Sequence, residues 1–502
     1  MKHGLEKLQS KDQLYGLLES AKQSESDILE SSDLKVIIDA VENAVGKATQ
    51  STKDFLLQRR FNLFYSYYPY FFQHIPNHLI VEVLAEQTDK FIDLELAEEF
   101  ILSVSDKKFR FQAAIPFTFQ PFQVSNCYLM DNKLSIEIDG IRPFSLQNRD
   151  RLLLSINPLA LKNYQIYHMI RALKNNKSAK ITLFSYQIEK PLEIDIKISF
   201  ELDLTLNNTQ EIILKSISQA VFSSFYIEFE SIQEDILFHK MLVEIDILNL
   251  KNIPKVLPQN SFRTNLLPVF NLFDGHAMKI DYDYTKESFA IKHSESLKDY
   301  VPTKLYRIEY NKEQACHENL NFVSSKSYCL NFDSSGHMRI SFLDPSVSDL
   351  SMSNEVTINA QWTQISSVDI NKKSYTFLPL SRSIGNLNFK IINSYSFKRN
   401  QLLERAENIL KVIKIINATR LSVELFKVLV SLITNNDDEV LRFMNESLVD
   451  VRSNNQVDYT IYINSDLQFA EFSFYADLVQ EFLRVHLSRF IGAQIDFNIQ
   501  VV

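Results

Sequence analysis

The stretch Glu193–Leu206, EIDIKISFELDLTL, alternates apolar and polar side chains without a break. Ile194, Ile196, Ile198, Phe200, Leu202, Leu204 and Leu206 share one face, opposite charged Asp195, Lys197, Glu201 and Asp203. Successive side chains of a strand point to opposite faces, so this run buries its apolar set as a strand with one wet face. Half-solvated strands of this kind belong to antiparallel sheets, because parallel sheets are covered on both faces. Leu134-Ile136-Ile138 and Val243-Ile245-Ile247 repeat the pattern, so residues 80–260 read as mostly antiparallel β.

Helical spacing prevails at the ends. Leu34, Ile37, Ile38, Val41 and Val45 form a narrow apolar stripe, preceded by Leu14, Leu17 and Leu18. A stripe this narrow suits packing on another helix, so these five residues are the candidate partner-binding surface. Near the other end, Leu402, Ala406, Ile409, Ile413 and Ile416 form one stripe. Leu421, Leu425, Val428, Leu429 and Leu432 form a second. Asn435-Asn436-Asp437-Asp438 stops that helix and caps the next, Glu439–Leu448. The C-terminus reads as strand (Val457, Tyr459, Ile461, Ile463), helix (Phe472–Phe490, with Leu478, Phe482, Val485 and Leu487 inward) and strand (Ile495, Phe497, Ile499, Val501). Serine and asparagine are frequent over 323–354, which predicts loops there.

The expected fold class is therefore α+β and multidomain. Residues 1–95 are a helical N-terminal segment with an aromatic region, in which Pro69 and Pro76 interrupt helix. Residues 96–260 and 261–400 are two β-rich domains. Residues 401–502 are a helical segment followed by a strand-helix-strand domain.

Glycine is scarce enough to exclude whole classes of chemistry. The 502 residues hold 8 glycines, no two nearer than 12 positions. GxxxxGK[ST] phosphate loops, GxGxxG dinucleotide fingerprints and GxSxG nucleophile elbows all need glycines closer together. A net charge of −9 disfavours a nucleic-acid surface, which needs clustered Lys and Arg. Three cysteines at irregular spacing and an N-terminus without an apolar h-region predict a cytoplasmic chain. Phe61–Val81 lacks charge, but its Pro, Asn and Gln residues argue against membrane insertion.

The centre of the chain, Thr264–Tyr284, holds an apolar run ending in Pro268-Val269-Phe270. It predicts a turn through Asn271-Leu272-Phe273-Asp274-Gly275 and then an alternating strand (Met278, Ile280, Tyr282, Tyr284). In that reading Asn271 and Asp274 bond backbone across the bend while Leu272 and Phe273 enter a core.

This segment resembles the "PVVNLFE" motif of the TssF (VasA/ImpG) family, baseplate proteins of type VI secretion, at Pro268, Asn271, Leu272, Phe273 and Asp274. Further segments resemble the family in the same order. They are Phe64–Pro76, Phe109–Val124, Arg151–Leu183 (with Tyr164, Tyr167, Ile170 and Leu173 as the buried side of a helix), Pro302–Glu309 and Phe472–Leu483. Departures, such as Leu425–Thr434 where the family has "LLSHLSLN", are those of a divergent branch such as the IglH-like one. The resemblance implies a wedge fold like that of phage baseplates and a structural, non-enzymatic role in priming and triggering sheath contraction. It also implies assembly of two copies with one TssG-type subunit, and contacts with a lysozyme-like sheath-initiating subunit, the spike hub and the membrane-complex adaptor. Assembly would be at the cytoplasmic face of the inner membrane.

Enzymatic readings find little support in the residues. Cys316-His317, Cys329 and His337 are the best metal constellation, but adjacent Cys-His is awkward for one ion. Glu193/Asp195 and Asp281/Asp283 resemble a glycosidase pair only in being two acids, and alternating acids mark a solvated strand face. Cys127 has no His near it in sequence. No catalytic residue, cofactor or metal is expected. A cytoplasmic carbohydrate-active or other hydrolase, or a secreted effector, is the alternative.

Overall fold

The computed structural model describes residues 41, 43–49, 52 and 74–502, apart from 86–87, 95–97, 105–106, 201–207, 249–251, 255, 283–287, 296–298, 311, 318–326, 333–336, 344–353, 367–369, 371–373, 381–385, 399–419, 436, 455–457 and 487–494. The chain divides into two compact units, Met1–Tyr67 with Glu318–Val323, and Tyr68–His317 with Ser324–Val502. In the first, residues 43–49 are helical. The described strands all belong to the second.

Its centre is a six-stranded antiparallel sheet. The order is β25 (Tyr375–Pro379), β3 (Glu99–Val104), β4 (Lys107–Ala113), β15 (Leu266–Phe270), β1 (His78–Leu84) and β26 (Asn388–Tyr395), with strands numbered along the chain. β1 is buried on both faces: Leu79, Val81 and Val83 enter the core enclosed by this sheet, while Ile80 packs with Ala220 and Leu266 behind it. That double burial explains its unbroken apolar run. The sheet curls until its outer strands meet, with Phe377 and Phe389 6.3 Å apart and Phe100 5.2 Å from each.

Two sheets share the largest core. One runs β10 (Leu192–Asp195), β9 (Ala179–Ser185), β13 (Leu237–Asp246), β7 (Lys133–Ser145), β6 (Phe122–Met130). The other runs β11 (Lys197–Ser199), β12 (Ser224–Glu228), β8 (Arg151–Ile156), β14 (Phe262–Arg263). The two short alternating runs pair directly, Ile136 with Val243 and Leu134 with Ile245, all fully buried. The alternating stretch after Glu193 is not one strand. Its β10 part pairs with β9 and its β11 part with β12, so the chain changes sheets at Ile196. Both sheets face one core, so a strand crosses the corner without changing which side chains point inward. Residues beyond Phe200 in that run lie outside the described residues until 208.

Helix α1 (Asn163–Lys174) buries Ile166, Met169, Ile170 and Leu173. Ile170 and Leu173 face inward as expected, whereas Tyr164 and Tyr167 are only half-buried. Tyr167 instead turns its hydroxyl to Asp477, a polar use that apolar spacing does not reveal. A second helix, α2 (Asn208–Ile217), follows.

Beyond the central sheet lies a five-stranded sheet: β16 (Phe273–His276), β24 (Asn354–Gln364), β19 (Tyr300–Tyr310) and β20 (Glu313–Gln314), with β17 (Ile280–Tyr282) also on β24. A four-stranded sheet is β18 (Phe289–Ala290), β23 (Met338–Leu343), β22 (Ser327–Phe332), β21 (Cys316–His317). The loops expected over 323–354 are thus replaced in part by β22 and β23. In β23, Met338, Ile340 and Phe342 alternate inward, and this periodicity outweighs the serine and asparagine around it. A small pair, β2 (Ile92–Leu94) and β5 (Phe117–Phe119), completes the strands before the C-terminus.

The C-terminal part has α3 (Val423–Ile433), α4 (Asp438–Ser447), β27 (Leu448–Ser453), β28 (Asp458–Ile463), α5 (Phe469–His486) and β29 (Asp496–Val501). Asp437 caps α4, its carboxylate accepting from Glu439 N at 3.1 Å and Val440 N at 3.3 Å. β28, α5 and β29 form the expected strand-helix-strand, and the two strands run parallel. α3 buries Phe426, Leu429, Val430 and Ile433, so Leu425, Val428 and Leu432 lie off the buried face. Phe426, 5.9 Å from Phe472 and 6.0 Å from Phe497, accounts for that orientation. Among the described residues no helix is long and apolar enough to cross a membrane.

Candidate functional site

The motif residues lie where the chain leaves one sheet for the next. β15 ends at Phe270 and β16 begins at Phe273, so Asn271 and Leu272 alone make the passage. Pro268 pairs with Ile80 in β1, whereas β15 meets β4 only at Val269 and Phe270. Pro268 therefore sits at the limit of the β4 ladder, where a residue without an N–H is tolerated.

Asn271 is fully buried and uses its whole amide. Its Nδ2 donates to Arg110 O at 2.6 Å and Gln364 Oε1 at 2.9 Å. Its Oδ1 accepts from Thr363 Oγ1 at 3.0 Å and Gln364 N at 2.6 Å. Its backbone N–H donates to Asn77 O at 2.8 Å. Asn77, also fully buried, donates to the carbonyls of Gln364 and Ser366 and accepts from Phe397 N. Gln364 completes the knot by donating to Lys108 O at 2.9 Å. Three neutral amides thus tie β1, β4 and β15 of the central sheet to β24 of its neighbour. A buried amide with every lone pair and proton used is stabilising, and one left half-used is costly.

The turn expected at Asp274-Gly275 is not there. Both residues lie inside β16, opposite Gln361 and Ala360 of β24. Space at Gly275 is tight: a Cβ would come 3.1 Å from His293 Nε2 and 3.4 Å from Trp362 Cδ1. The Trp362 indole, fully buried, donates to Gly275 O at 3.1 Å. Leu272 and Phe273 are buried as expected. Phe273 packs edge-on against His293 and Tyr300, with the Arg110 guanidinium 5.8 Å from its ring. Asp274 is exposed, and among the described residues it makes no hydrogen bond to backbone across the bend. It hydrogen-bonds Tyr306, whose phenol is pushed up to about 12 by burial first and by Asp274 second. Met278 is exposed, while Ile280 is buried in β17.

A second joint repeats the device. The Asn265 side chain accepts from Gln120 N and donates to Gln120 O, both at 2.8 Å, and the Gln120 side chain clasps both backbone groups of Leu153. Asn265 adopts φ 59°, a left-handed conformation that asparagine tolerates. Sequence reasoning singled out Asn271 but missed Asn77, Gln120, Asn265 and Gln364. Their one local signal is an amide embedded in an apolar run, as in PNHLI and TNLL.

The other candidates stand apart from this joint. Val41 and Val45 are exposed, at 42% and 38%. Leu34, Ile37 and Ile38 lie outside the described residues. Cys127 is buried, its thiol donating to Pro258 O and Gln259 O, and burial pushes it above the ordinary thiol range. That direction opposes nucleophilicity. Glu193 lies on an exposed edge 3.6 Å from Lys180. Cys316-His317 pairs with Ser327-Tyr328, and Cys329 is buried in β22. Among the described residues no group of three or more His, Cys, Asp or Glu is placed to hold a metal.

No protein-family model matches the chain, and no curated protein matches it. Solved structures do. The chain is similar to one in the TssK-TssF-TssG baseplate subcomplex of a type VI secretion system, with a TM-score of 0.60 and 11% identity. That match covers 93% of this chain and 96% of the other. It is also similar to a chain of the baseplate complex from the type VI secretion system, with a TM-score of 0.51 and 11% identity, covering 100% and 94%.

Proposed function

We propose that this chain, which has the fold of a TssF-like baseplate subunit, is a structural component of a type VI secretion baseplate. The observation that carries this reading is the likeness in fold along nearly the whole of both chains. The buried amide joints support a mechanical role over a catalytic one. They tie successive sheets into one body with neutral groups, and the buried motif residues Pro268, Asn271, Leu272 and Phe273 carry no group that titrates or attacks a bond.

In this proposal two copies join one TssG-type subunit at the cytoplasmic face of the inner membrane. The assembly then meets the lysozyme-like sheath-initiating subunit, the spike hub and the membrane-complex adaptor. Triggering of sheath contraction requires an interface with two arrangements of similar free energy. Rigid subunits confine the rearrangement to such interfaces. The stripe Leu34, Ile37, Ile38, Val41 and Val45 is the proposed partner surface, and the exposure of Val41 and Val45 is compatible with that use.

The test is co-expression with a TssG-type subunit, followed by size-exclusion chromatography with light scattering. The expected species holds two copies of this chain per partner, and a chain lacking residues 1–50 stays folded but no longer co-purifies. A monomer indifferent to the partner overturns the baseplate reading. Retained co-purification of the truncated chain overturns the assignment of the N-terminal stripe.

A further inference from the structure

A cleft of about 300 Å³ opens beside the second amide joint, away from the motif. Its floor is tied by hydrogen bonds: Gln120 is almost fully buried and clasped to Leu153, and Tyr226 is buried beside them. Two arginines rise from this floor, each laid on an aromatic ring. Arg149 Cζ stands 4.7 Å from the Phe91 centroid and Arg151 Cζ 4.9 Å from that of Tyr226. A guanidinium drawn over a ring face is restricted in where it sits, while its N–H groups that do not face the ring stay available for a planar acceptor.

The two arginines are not equivalent. Arg149 is committed to Asp93, with Nη1 3.3 Å from Oδ1, and Asp93 also accepts from Thr118 Oγ1 at 2.8 Å. Among the described residues Arg151 has no carboxylate at ion-pair distance; its partner is the Tyr226 ring. A fork of donors thus stands ready at a cleft whose volume is at the lower end for small ligands. Asp93 and Asp150 also line the cleft, so the two arginines carry no excess of positive charge. Recognition must therefore come from the shape of the fork, and a doubly charged phosphate is disfavoured by the two acids.

We propose that this cleft is a recognition site for a single carboxylate, taken bidentately by Arg151 and carried on a short stem that lies over Tyr226 and Leu153. The carboxylate belongs either to an acidic residue of a peptide segment or to a free organic acid. The role is distinct from the baseplate reading and does not depend on it.

The test is calorimetric titration of the full chain with four probes. These are the capped tripeptide Ala-Glu-Ala, its Ala-Gln-Ala counterpart, butyrate and inorganic phosphate. The Glu peptide or butyrate binds saturably, and at least tenfold more tightly than the Gln peptide or phosphate. Butyrate equal to the Glu peptide marks a free acid as the source, and a preference for the peptide marks a protein segment. Arg151→Gln abolishes the preference. Arg151→Lys keeps the charge, loses the fork and retains only a fraction of the preference. Both substitutions are at an exposed side chain, and unchanged melting confirms that the variants are folded. Equal binding of the Glu and Gln peptides, no saturable binding of either acid, tighter binding of phosphate, or an Arg151→Gln protein that keeps the preference overturns the proposal.

Discussion

Two joints in this molecule do similar work with opposite chemistry. At Asn271 the central sheet meets its neighbour through buried neutral amides. Where α5 meets α1 and α2, charged groups do it. Asp477 accepts from Tyr167 OH at 3.1 Å and from Arg171, and Lys215 Nζ lies 3.0 Å from Glu481 Oε1. The charged joint is half in water: the Arg171 side chain is 59% exposed and that of Asp477 23%. A neutral amide knot responds to neither salt nor moderate pH. An ionic joint responds to both, and its worth is reduced by solvent. The lesson is that the chain uses amides where a joint is sealed and charges where it is wet, because burying a charge costs several times more than burying an amide.

The largest expected effect breaks the sealed joint. Asn271→Ala leaves Thr363 Oγ1, Gln364 N and Arg110 O without their partner. We expect a loss of about 3 kcal/mol in urea denaturation, unchanged by added salt. A loss under about 1 kcal/mol would show that backbone pairing alone holds the joint.

The next effect sharpens the contrast, because a buried titratable group lies beside the sealed joint. His78 follows Asn77 in β1, is fully buried and stacks on Tyr395 at 4.3 Å. Its Nδ1 lies 3.3 Å from Pro76 O, and its Nε2 has no hydrogen-bond partner among the described residues. Burial first, and Lys398 as well, lower its pKa from 6.5 to about 4. The fold therefore holds the neutral ring. The stability this represents is complete above the unfolded value and is lost as pH falls toward the folded one. Between pH 7 and 5 the loss is roughly 2 kcal/mol. Melting at the two pH values should show it, and His78→Phe should remove this part of the pH dependence. An unchanged pH profile in that variant would place the acid sensitivity elsewhere.

The smallest effect belongs to the wet joint. Asp477→Ala should cost about 1 kcal/mol, since its arginine partner is largely solvated. The difference from the unaltered protein should shrink in roughly 1 M salt, where screening is nearly complete. A cost as large and as salt-independent as that of Asn271→Ala would erase the distinction between the joints.

Much of the fold was legible because its signals are local. Apolar alternation marked Leu134–Ile138 and Val243–Ile247, and they pair with each other. The Asp437 cap and the C-terminal strand-helix-strand followed from residues a few positions apart. The resemblance in the motif segment pointed to the fold that the solved baseplate chains share. What the motif does was not legible. The Asp-Gly pair reads as a turn by itself, but Gly275 serves a strand crowded by His293 and Trp362. The long alternating run reads as one strand, yet it serves two sheets.

By itself, then, the sequence determined the strands and helices whose apolar spacing is regular and which of their faces are apolar, since period two and period 3.6 are properties of neighbouring residues. Only the tertiary structure decided which sheets those strands join: one sheet draws on residues from His78 to Tyr395. It also decided what the buried amides hold. The partner of Asn271 Oδ1 is 93 residues away, and no local pattern encodes a hydrogen bond across that distance.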